Sequence, residues 1–180
     1  MTEKTLVLSL IDLPRHIGAR KAYDCVWMVP GDLGTPSMCV AQGSELPLSI
    51  EVTSVDNGVL VQVHTRVLLE GECVRCLDPV TRSHDVSAAE VFFESAPTDA
   101  DDNDEFFLIG PRDTVDIEPM LRDAIVTLVD ARPLCRPECP GLCSGCGEKW
   151  DDLPDDHEHV VIDPRMASLS ALLDGMESKQ

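Results

Sequence analysis

The sequence predicts an α+β protein with an antiparallel β-meander core, an amphipathic helix, a cysteine-rich knuckle and a C-terminal helix. Three observations predict this class. Apolar and polar residues alternate between 45 and 94, the apolar period lengthens to three and four residues from 116, and cysteines cluster late in the chain. With 180 residues, the chain can bury one ordinary core and carry a small appendage. We expect residues 1–115 to form the mainly antiparallel β core with an N-terminal segment, and residues 116–180 to form the helix, the knuckle and a C-terminal helix packed on that core.

The predicted strands follow one another in the first half of the chain. Residues 45–53 place aliphatic side chains on one face, and residues 59–69 repeat this after an Asp-Asn-Gly turn, so the two runs predict a β-hairpin. Residues 80–94 predict a third strand, which completes the meander. Thr5–Leu10 predicts a further strand, whereas prolines and glycines between 30 and 43 predict loop. The aliphatic residues are Leu46, Leu48, Ile50 and Val52 in the first run and Val59, Val61, Val63, Val67 and Leu69 in the second.

Two segments have a helical apolar period. The first begins after Asp116, a plausible N-cap, carries Pro119 in its first turn and cannot extend far beyond Arg132 because Pro133 follows. The second begins at Pro164. Their apolar stripes are Ile117, Met120, Leu121, Ala124, Ile125, Leu128 and Val129 in the first, and Met166, Leu169, Leu172, Leu173 and Met176 in the second.

The chain is strongly acidic, with a formal net charge of −19 from 33 acidic and 14 basic side chains. Such a surface repels phosphate, which excludes nucleic-acid binding through a broad basic face. Arg15, Arg20 and Lys21 lie close in sequence and leave a local contact with RNA open. Acidic clusters within 99–105 and 151–158 predict loops that are either simply solvated or an anionic face for a basic partner.

The sequence also indicates the cellular compartment of the protein. No apolar run approaches the length of a bilayer-spanning helix, and the N-terminal stretch Leu6–Leu13 lacks a cleavage-like site. We therefore expect a cytoplasmic protein, in which thiols stay reduced. Eight cysteines in such a protein favour metal ligation over disulfide bonds.

The spacing of the cysteines predicts zinc ligands. The pattern C-x2-C occurs twice, and two residues between thiolates let one tight turn direct both sulfurs and its N–H groups at a single ion. Cys25 and Cys39 show no such spacing and are interpreted as small buried apolar residues. The candidate ligands are Cys73, Cys76, Cys135, Cys139, Cys143 and Cys146, with His157 and His159 following in an acidic segment.

Three assignments of these ligands are open. The four late cysteines can bind one ion, although this set is cramped; or a single ion can take Cys73, Cys76 and two of the later cysteines. The alternative is two ions with complete sets of four. In that case one ion is held by Cys73, Cys76, Cys135 and Cys139, and the other by Cys143, Cys146, His157 and His159.

Three segments together resemble a known family. They are C-V-R-C-L-D-P at 73–79, C-x3-C-P-G-L-C-S-G-C-G at 135–147 and I-D-P-R-M-A-S-L-S-A-L-L at 162–173. Their order and spacing resemble the YceD-type large-ribosomal-RNA accumulation proteins of bacteria and plastids. The resemblance implies a factor that supports synthesis, processing or stability of 23S rRNA and hence assembly of the large ribosomal subunit. Family members commonly carry a C-x-C pair before the third segment, where this chain has His157 and His159. Imidazole can replace thiolate on zinc, so the resemblance favours the two-ion assignment.

We therefore expect a non-enzymatic binding module. In this hypothesis, structural zinc fastens the C-terminal segment to the meander, and an acidic surface engages a large-subunit assembly intermediate. The most direct contact would be a basic ribosomal protein, with rRNA touched locally by Arg75, Arg132 and Arg136. A zinc ion with four protein ligands lacks the open position that catalysis needs.

Two enzyme hypotheses remain as alternatives. The first is a cytosolic thiol-redox enzyme that uses Cys73 and Cys76 as its dithiol. The second is a zinc-dependent hydrolase in which His157 and His159 hold a catalytic ion.

Overall fold

A computed structural model describes residues 6–31, 33–96 and 106–159 of the chain. Within these residues the protein is mostly β-sheet with one α-helix. The sequence predicts this strand-rich first half and a helix that begins after Asp116. The strands are β1 (Val7–Ser9), β2 (Arg20–Met28), β3 (Met38–Val40), β4 (Glu45–Val55), β5 (Gly58–Glu72), β6 (Pro79–Phe93), β7 (Phe107–Leu108) and β8 (Thr114–Asp116); the helix is α1 (Glu118–Val126), and a 3-10 turn spans Trp150–Asp152.

The main sheet has the strand order β2-β4-β5-β6-β7. Strands β2, β4, β5 and β6 are antiparallel to their neighbours, whereas β7 pairs with the end of β6 in parallel. The β4–β5 turn places Asn57 at φ 60, a backbone conformation that asparagine tolerates better than most residues. β3 pairs with the far end of β5, and β1 forms a separate two-stranded sheet with β8.

Alternation of side chains along these strands builds the core. Every second residue of β4 is buried, and the buried aliphatic residues of β5 are Val59, Val61, Val63, Val67 and Leu69, which matches the aliphatic faces that the sequence predicts. Helix α1 adds Met120, Leu121 and Ile125 to the buried set. Burial of such side chains contributes about 1.5–3 kcal/mol each, so the sheet and α1 supply much of the stability of this region.

Several elements differ from the sequence-based expectation. The predicted loop between residues 30 and 43 contains β3, and β2 forms at residues 20–28, where the sequence predicts no strand. Both are stabilised by pairing with the longer strands β5 and β4, respectively. Helix α1 ends at Val126, well before Arg132, since Leu128 and Val129 donate to carbonyls three residues back and the chain leaves the α conformation. Ile117 takes the N-cap position, although the Asp116 carboxylate accepts a hydrogen bond from the Glu118 N–H.

The described residues do not reach the predicted second helix. The segment from Pro164 onward and the acidic cluster at 99–105 both lie outside them. No helix among the described residues is long and apolar enough to cross a membrane.

The chain divides into two compact units, Met1–Cys135 and Arg136–Gln180. Helix α1 therefore groups with the strands. The predicted boundary between residues 115 and 116 lies N-terminal to this division.

Candidate metal centres

The connection between β5 and β6 is a tight turn, residues 73–78, called here the first knuckle. The Cys73 N–H donates to the Asp78 carbonyl at 2.7 Å, and the Leu77 N–H donates to the Cys73 carbonyl at 2.9 Å. Leu77 adopts φ 63, in the left-handed region. The turn directs the thiols of Cys73 and Cys76 inward, and both residues are buried.

A second turn with the same hydrogen bonds spans residues 143–148, called here the second knuckle. The Cys143 N–H donates to the Glu148 carbonyl at 2.7 Å, and the Gly147 N–H donates to the Cys143 carbonyl at 2.8 Å. Gly147 adopts φ 79, at the position that Leu77 occupies in the first knuckle. Both C-x2-C motifs therefore fold into one local structure, as their shared spacing predicts.

Cys135 approaches the first knuckle because the segment before it is anchored there. The Val74 N–H donates to the Pro133 carbonyl at 2.9 Å, and the Arg82 guanidinium donates to the Leu134 carbonyl at 2.8 Å. These bonds hold the Cys135 Sγ at 3.6 Å from the Cys76 Sγ.

Cys139 completes a group of four with these residues. One ligand atom from each of Cys73, Cys76, Cys135 and Cys139 lies within 4.8 Å of the others. Cys73 and Cys139 are 0% and 1% exposed. We call this group the four-cysteine cluster.

The backbone around the two knuckles favours thiolates. Burial raises the pKa of Cys73, but hydrogen bonds from the Cys135, Arg75 and Cys76 N–H groups and from the Cys76 thiol outweigh it, so the pKa falls to about 6. N–H groups of Cys146 and Gly145 lower the pKa of Cys143 in the same way, against burial. Thiolate is the form that binds metal, so both sites are electrostatically prepared for a cation.

The second knuckle lies against the acidic segment that follows it. The His157 Nε2 is 3.5 Å from the Sγ of Cys143 and 3.5 Å from the Sγ of Cys146. With His159 these residues form a second group whose ligand atoms lie within 4.8 Å of one another. We call it the Cys2His2 cluster. It is more open than the first, because Cys146 and His159 are exposed.

Two neighbours position the imidazoles of the Cys2His2 cluster. The Trp150 ring meets the His157 ring edge-on, with centroids 5.7 Å apart. Gly145 leaves the space that the His159 ring fills, since a Cβ on this glycine would lie 2.4 Å from the imidazole carbons. Residue 145 must therefore lack a side chain if His159 is to stand beside the knuckle.

The separations between the candidate ligand atoms fit the geometry of a zinc site. Bond lengths of about 2.3 Å to sulfur and 2.0 Å to nitrogen place two sulfurs about 3.8 Å apart, and a sulfur and a nitrogen about 3.5 Å apart, around a tetrahedral ion. The separations of 3.6 Å between Cys76 and Cys135 and 3.5 Å between Cys143 and His157 are close to these values. They are far longer than a disulfide bond, and none of the eight cysteines forms a disulfide. Either cluster could hold one metal ion.

The structure thus groups all eight candidate ligands into two sets of four. The four late cysteines do not form one set, since Cys135 and Cys139 lie with the first knuckle while Cys143 and Cys146 lie with the histidines. Cys25 lies in β2 and Cys39 in β3, outside both clusters. Both are half-buried rather than buried as the sequence predicts, and partial burial raises the pKa of the Cys25 thiol.

Sequence reasoning missed three features of these sites. The space that Gly145 leaves for His159, the docking of Pro133 and Leu134, and the left-handed backbone at Leu77 all depend on contacts between segments. Of these three, only Gly145 could have been noticed in the sequence, because it lies between Cys143 and Cys146.

The basic residues near the N-terminus are paired with carboxylates. Arg15 forms an ion pair with Asp113, and Lys21 pairs with Asp12 at 3.1 Å. Arg20 lies 3.5 Å from the Glu51 carboxylate. In the second unit, Arg136 pairs with Asp151.

Comparison with known proteins identifies the family. The sequence model of the family described as "Large ribosomal RNA subunit accumulation protein YceD" matches residues 61–173, which include all eight candidate ligands. The chain belongs to the YceD family. The resemblance that the cysteine motifs indicate is thereby confirmed, and the family description connects the chain with the large ribosomal RNA.

Three bacterial proteins similar to this chain match between 56% and 96% of it. An uncharacterized protein of Mycobacterium tuberculosis is 38% identical over 96% of this chain and 83% of its own length. An uncharacterized protein of Mycobacterium leprae is 29% identical over 93% of this chain and 77% of its own length. The Bacillus subtilis protein YlbN is 28% identical over 56% of this chain and 58% of its own length. No solved structure matches this chain.

Proposed function

We propose that the protein is a non-enzymatic, cytoplasmic factor that supports 23S rRNA accumulation and large-subunit assembly, with two structural zinc ions. The observation that carries this proposal is the presence of two complete groups of four ligands in a YceD family chain. Four protein ligands saturate a tetrahedral zinc ion and leave no position for substrate or reactive water. The zinc ions would therefore hold the ligand-bearing segments in place rather than carry out chemistry.

The thiol-redox hypothesis is less well supported. The low pKa of Cys73 would suit a reactive thiolate, but Cys73 is 0% exposed and cannot meet a substrate disulfide. Its C-x2-C motif also joins antiparallel strands, whereas redox motifs of this type open a helix. A buried thiolate surrounded by backbone N–H donors suits a structural metal ligand better.

The hydrolase hypothesis requires an open coordination position. His157 already has both sulfurs of the second knuckle at 3.5 Å, and His159 completes the set. With all four positions filled by side chains, this group resembles structural zinc sites.

The charge distribution supports a basic protein as the direct partner. The net charge of −19 opposes a phosphate backbone. Arg15, Arg20 and Lys21, which could have touched RNA, lie beside carboxylates. Arg75 and Arg132 are exposed and remain the best positions for a local rRNA contact. A basic ribosomal protein would be attracted by the negative electrostatic potential over the rest of the surface.

Sedimentation of cell extracts tests this proposal. Tagged protein should migrate with large-subunit precursors at low salt and leave them as rising salt screens the charges, and loss of the protein should reduce 23S rRNA. Elemental analysis of the purified protein should give two zinc equivalents per chain. Migration only with free protein, together with unchanged 23S rRNA in the deletion strain, would contradict the proposal.

A further inference from the structure

In its middle, strand β6 has one edge that no other strand of the described residues covers. One side of β6 pairs with β5 along its whole length, whereas the other side pairs with β7 only at Phe92 and Phe93. Near the start of β6, Arg82 reaches the Leu134 carbonyl. Between these two contacts, no other described strand pairs with this edge.

The hydrogen bonds at the end of β6 show which backbone groups face this edge. The Phe93 carbonyl accepts from the Ile109 N–H on the β7 side, while the Glu94 N–H donates to the Asn57 carbonyl on the β5 side. Backbone groups of successive residues point to opposite edges of a strand, and the register with β5 is unbroken from Phe93 back to Pro79. The N–H and C=O groups of Asp85, Ser87 and Ala89 therefore point away from β5.

A groove of about 550 Å³ runs along this edge. Its lining includes all six residues from 85 to 90, and successive residues of a strand face opposite sides of the sheet, so the groove follows the edge of β6 rather than either face. Opposite β6 stand Ala124 of α1 and Leu128 just beyond the end of this helix, both half-buried, and the buried Met120 one turn before Ala124. Phe107 of β7 lines it as well.

The charges in the groove have one sign. Its lining contains Asp85, Glu90 and Asp123 and no lysine or arginine. Asp85 is paired with Arg66 at 2.7 Å, whereas Glu90 and Asp123 are exposed and form no ion pair with another described residue. The acidic residues 99–105 that precede β7 in the sequence carry the same sign, so a basic segment from another molecule is the better electrostatic match.

We propose that this groove binds an extended segment of a basic protein, which adds as a strand to the edge of β6 between that edge and α1. Backbone hydrogen bonds to residues 85, 87 and 89 supply affinity, the half-buried Ala124 and Leu128 take alternate aliphatic side chains, and the carboxylates select lysine or arginine at the other positions. The inference rests on the proposed function for the choice of a basic protein and gives that partner a defined contact.

A proline at residue 87 tests the backbone part of the proposal. Ser87 is exposed and its N–H faces the groove, so Ser87→Pro removes one donor from the open edge and leaves the bonds to β5 intact. The chain already has a proline in β6, Pro79, at a position whose backbone groups also point away from β5. Ser87→Ala is the matched control because it retains the N–H.

The probe is a fluorescent peptide of about ten alternating lysine and valine residues, measured by anisotropy at low salt with the full-length, zinc-loaded protein. Ser87→Pro should weaken binding about tenfold, and Ser87→Ala should match wild type. A second peptide, N-methylated at alternate residues so that one edge lacks donors, should lose a similar factor against wild-type protein. This second measurement decides the question even if Ser87→Pro does not fold.

Several results would overturn the proposal. Equal binding by Ser87→Pro and wild type is one, and equal binding by the N-methylated peptide is another. A concentration-dependent dimer that Ser87→Pro abolishes would assign the edge to a second copy, and binding of single-stranded RNA that Ser87→Pro abolishes would assign it to nucleic acid. Failure of the wild-type protein to sediment with large-subunit precursors would instead remove the proposed function, while edge-dependent peptide binding would still stand.

Discussion

The first and second knuckles share one backbone but differ in everything that surrounds it. In both, the first cysteine donates its N–H to the carbonyl five residues later and accepts, at its own carbonyl, the N–H of the residue four positions later. That later residue follows the second cysteine and has a left-handed backbone in both knuckles. The first knuckle fills that position with Leu77 and is buried at its cysteines, whereas the second uses Gly147 and leaves Cys146 exposed. The C-x2-C motif therefore specifies the turn, and the tertiary environment specifies the properties of the site.

The two clusters also differ in charge. Four thiolates around a zinc ion carry about two net negative charges, whereas two thiolates and two neutral imidazoles give a neutral site. In a chain of net charge −19, the four-cysteine cluster therefore adds to an unfavourable total. Its burial increases that penalty, and the N–H groups of Cys135, Arg75 and Cys76 offset it at the Cys73 sulfur. The more buried cluster is thus the one more dependent on its neighbours.

Removal of a ligand from the four-cysteine cluster should have the largest effect. Cys73→Ser is expected to lose one of two zinc equivalents and to lower the free energy of unfolding by on the order of 4 kcal/mol, since metal binding and folding are coupled at a buried site. Cys39→Ser serves as control because Cys39 lies outside both clusters. Zinc content and chemical denaturation measure the two quantities. Two equivalents in Cys73→Ser would show that Cys73 is not a ligand.

Competition with a chelator should separate the clusters by exposure. The Cys2His2 cluster exposes Cys146 and His159, while Cys73 and Cys139 are buried, so the chelator reaches the second ion first. We expect about tenfold faster release of that ion, within the range that outer-shell changes produce in metal affinity. A colorimetric zinc indicator should record two phases of equal size. A single phase would mean that exposure does not control release.

A methyl group at Gly145 should weaken only the Cys2His2 cluster. Its Cβ would lie 2.4 Å from the His159 ring, and no positive φ adds backbone strain at this residue. Gly145→Ala should therefore displace His159 and lower the affinity for the second ion about tenfold while the first ion stays bound. Arg75→Ala, at the same position of the first knuckle, is the matched control. Cobalt substitution would report the change as a loss of tetrahedral absorption from one site, and an unchanged spectrum would remove His159 from the ligand set.

Features that depend on local interactions could be predicted from the sequence, whereas features that depend on contacts between distant segments could not. Alternation in 45–53 and 59–69 gave β4 and β5 because one face of each strand is buried, and the cysteine spacing gave both knuckles because a turn is local. β2 was missed because its inward-facing positions hold the half-buried Lys21, Tyr23 and Cys25 rather than an aliphatic run, and within this strand Trp27 alone is buried.

Longer-range features of the sites had weaker signals. The pairing of the first knuckle with Cys135 could be inferred only by counting complete ligand sets, since about sixty residues separate the two. Docking of Pro133 on Val74 and the clearance above Gly145 are contacts between segments, which composition and period do not encode.

Exchange of the left-handed residues gives the smallest expected effect. Gly147 adopts φ 79 with no atom near its missing Cβ, so Gly147→Ala should destabilise the second knuckle through backbone strain alone, by about 1–2 kcal/mol. Leu77→Gly should relieve the same strain in the first knuckle, and since Leu77 is 59% exposed, little packing is lost. Its free energy of unfolding should equal or exceed that of wild type in denaturant titrations. If Leu77→Gly is instead destabilised as much as Gly147→Ala, the exposed leucine contributes packing that outweighs its strained backbone, and the two knuckles are less alike than their hydrogen bonds indicate.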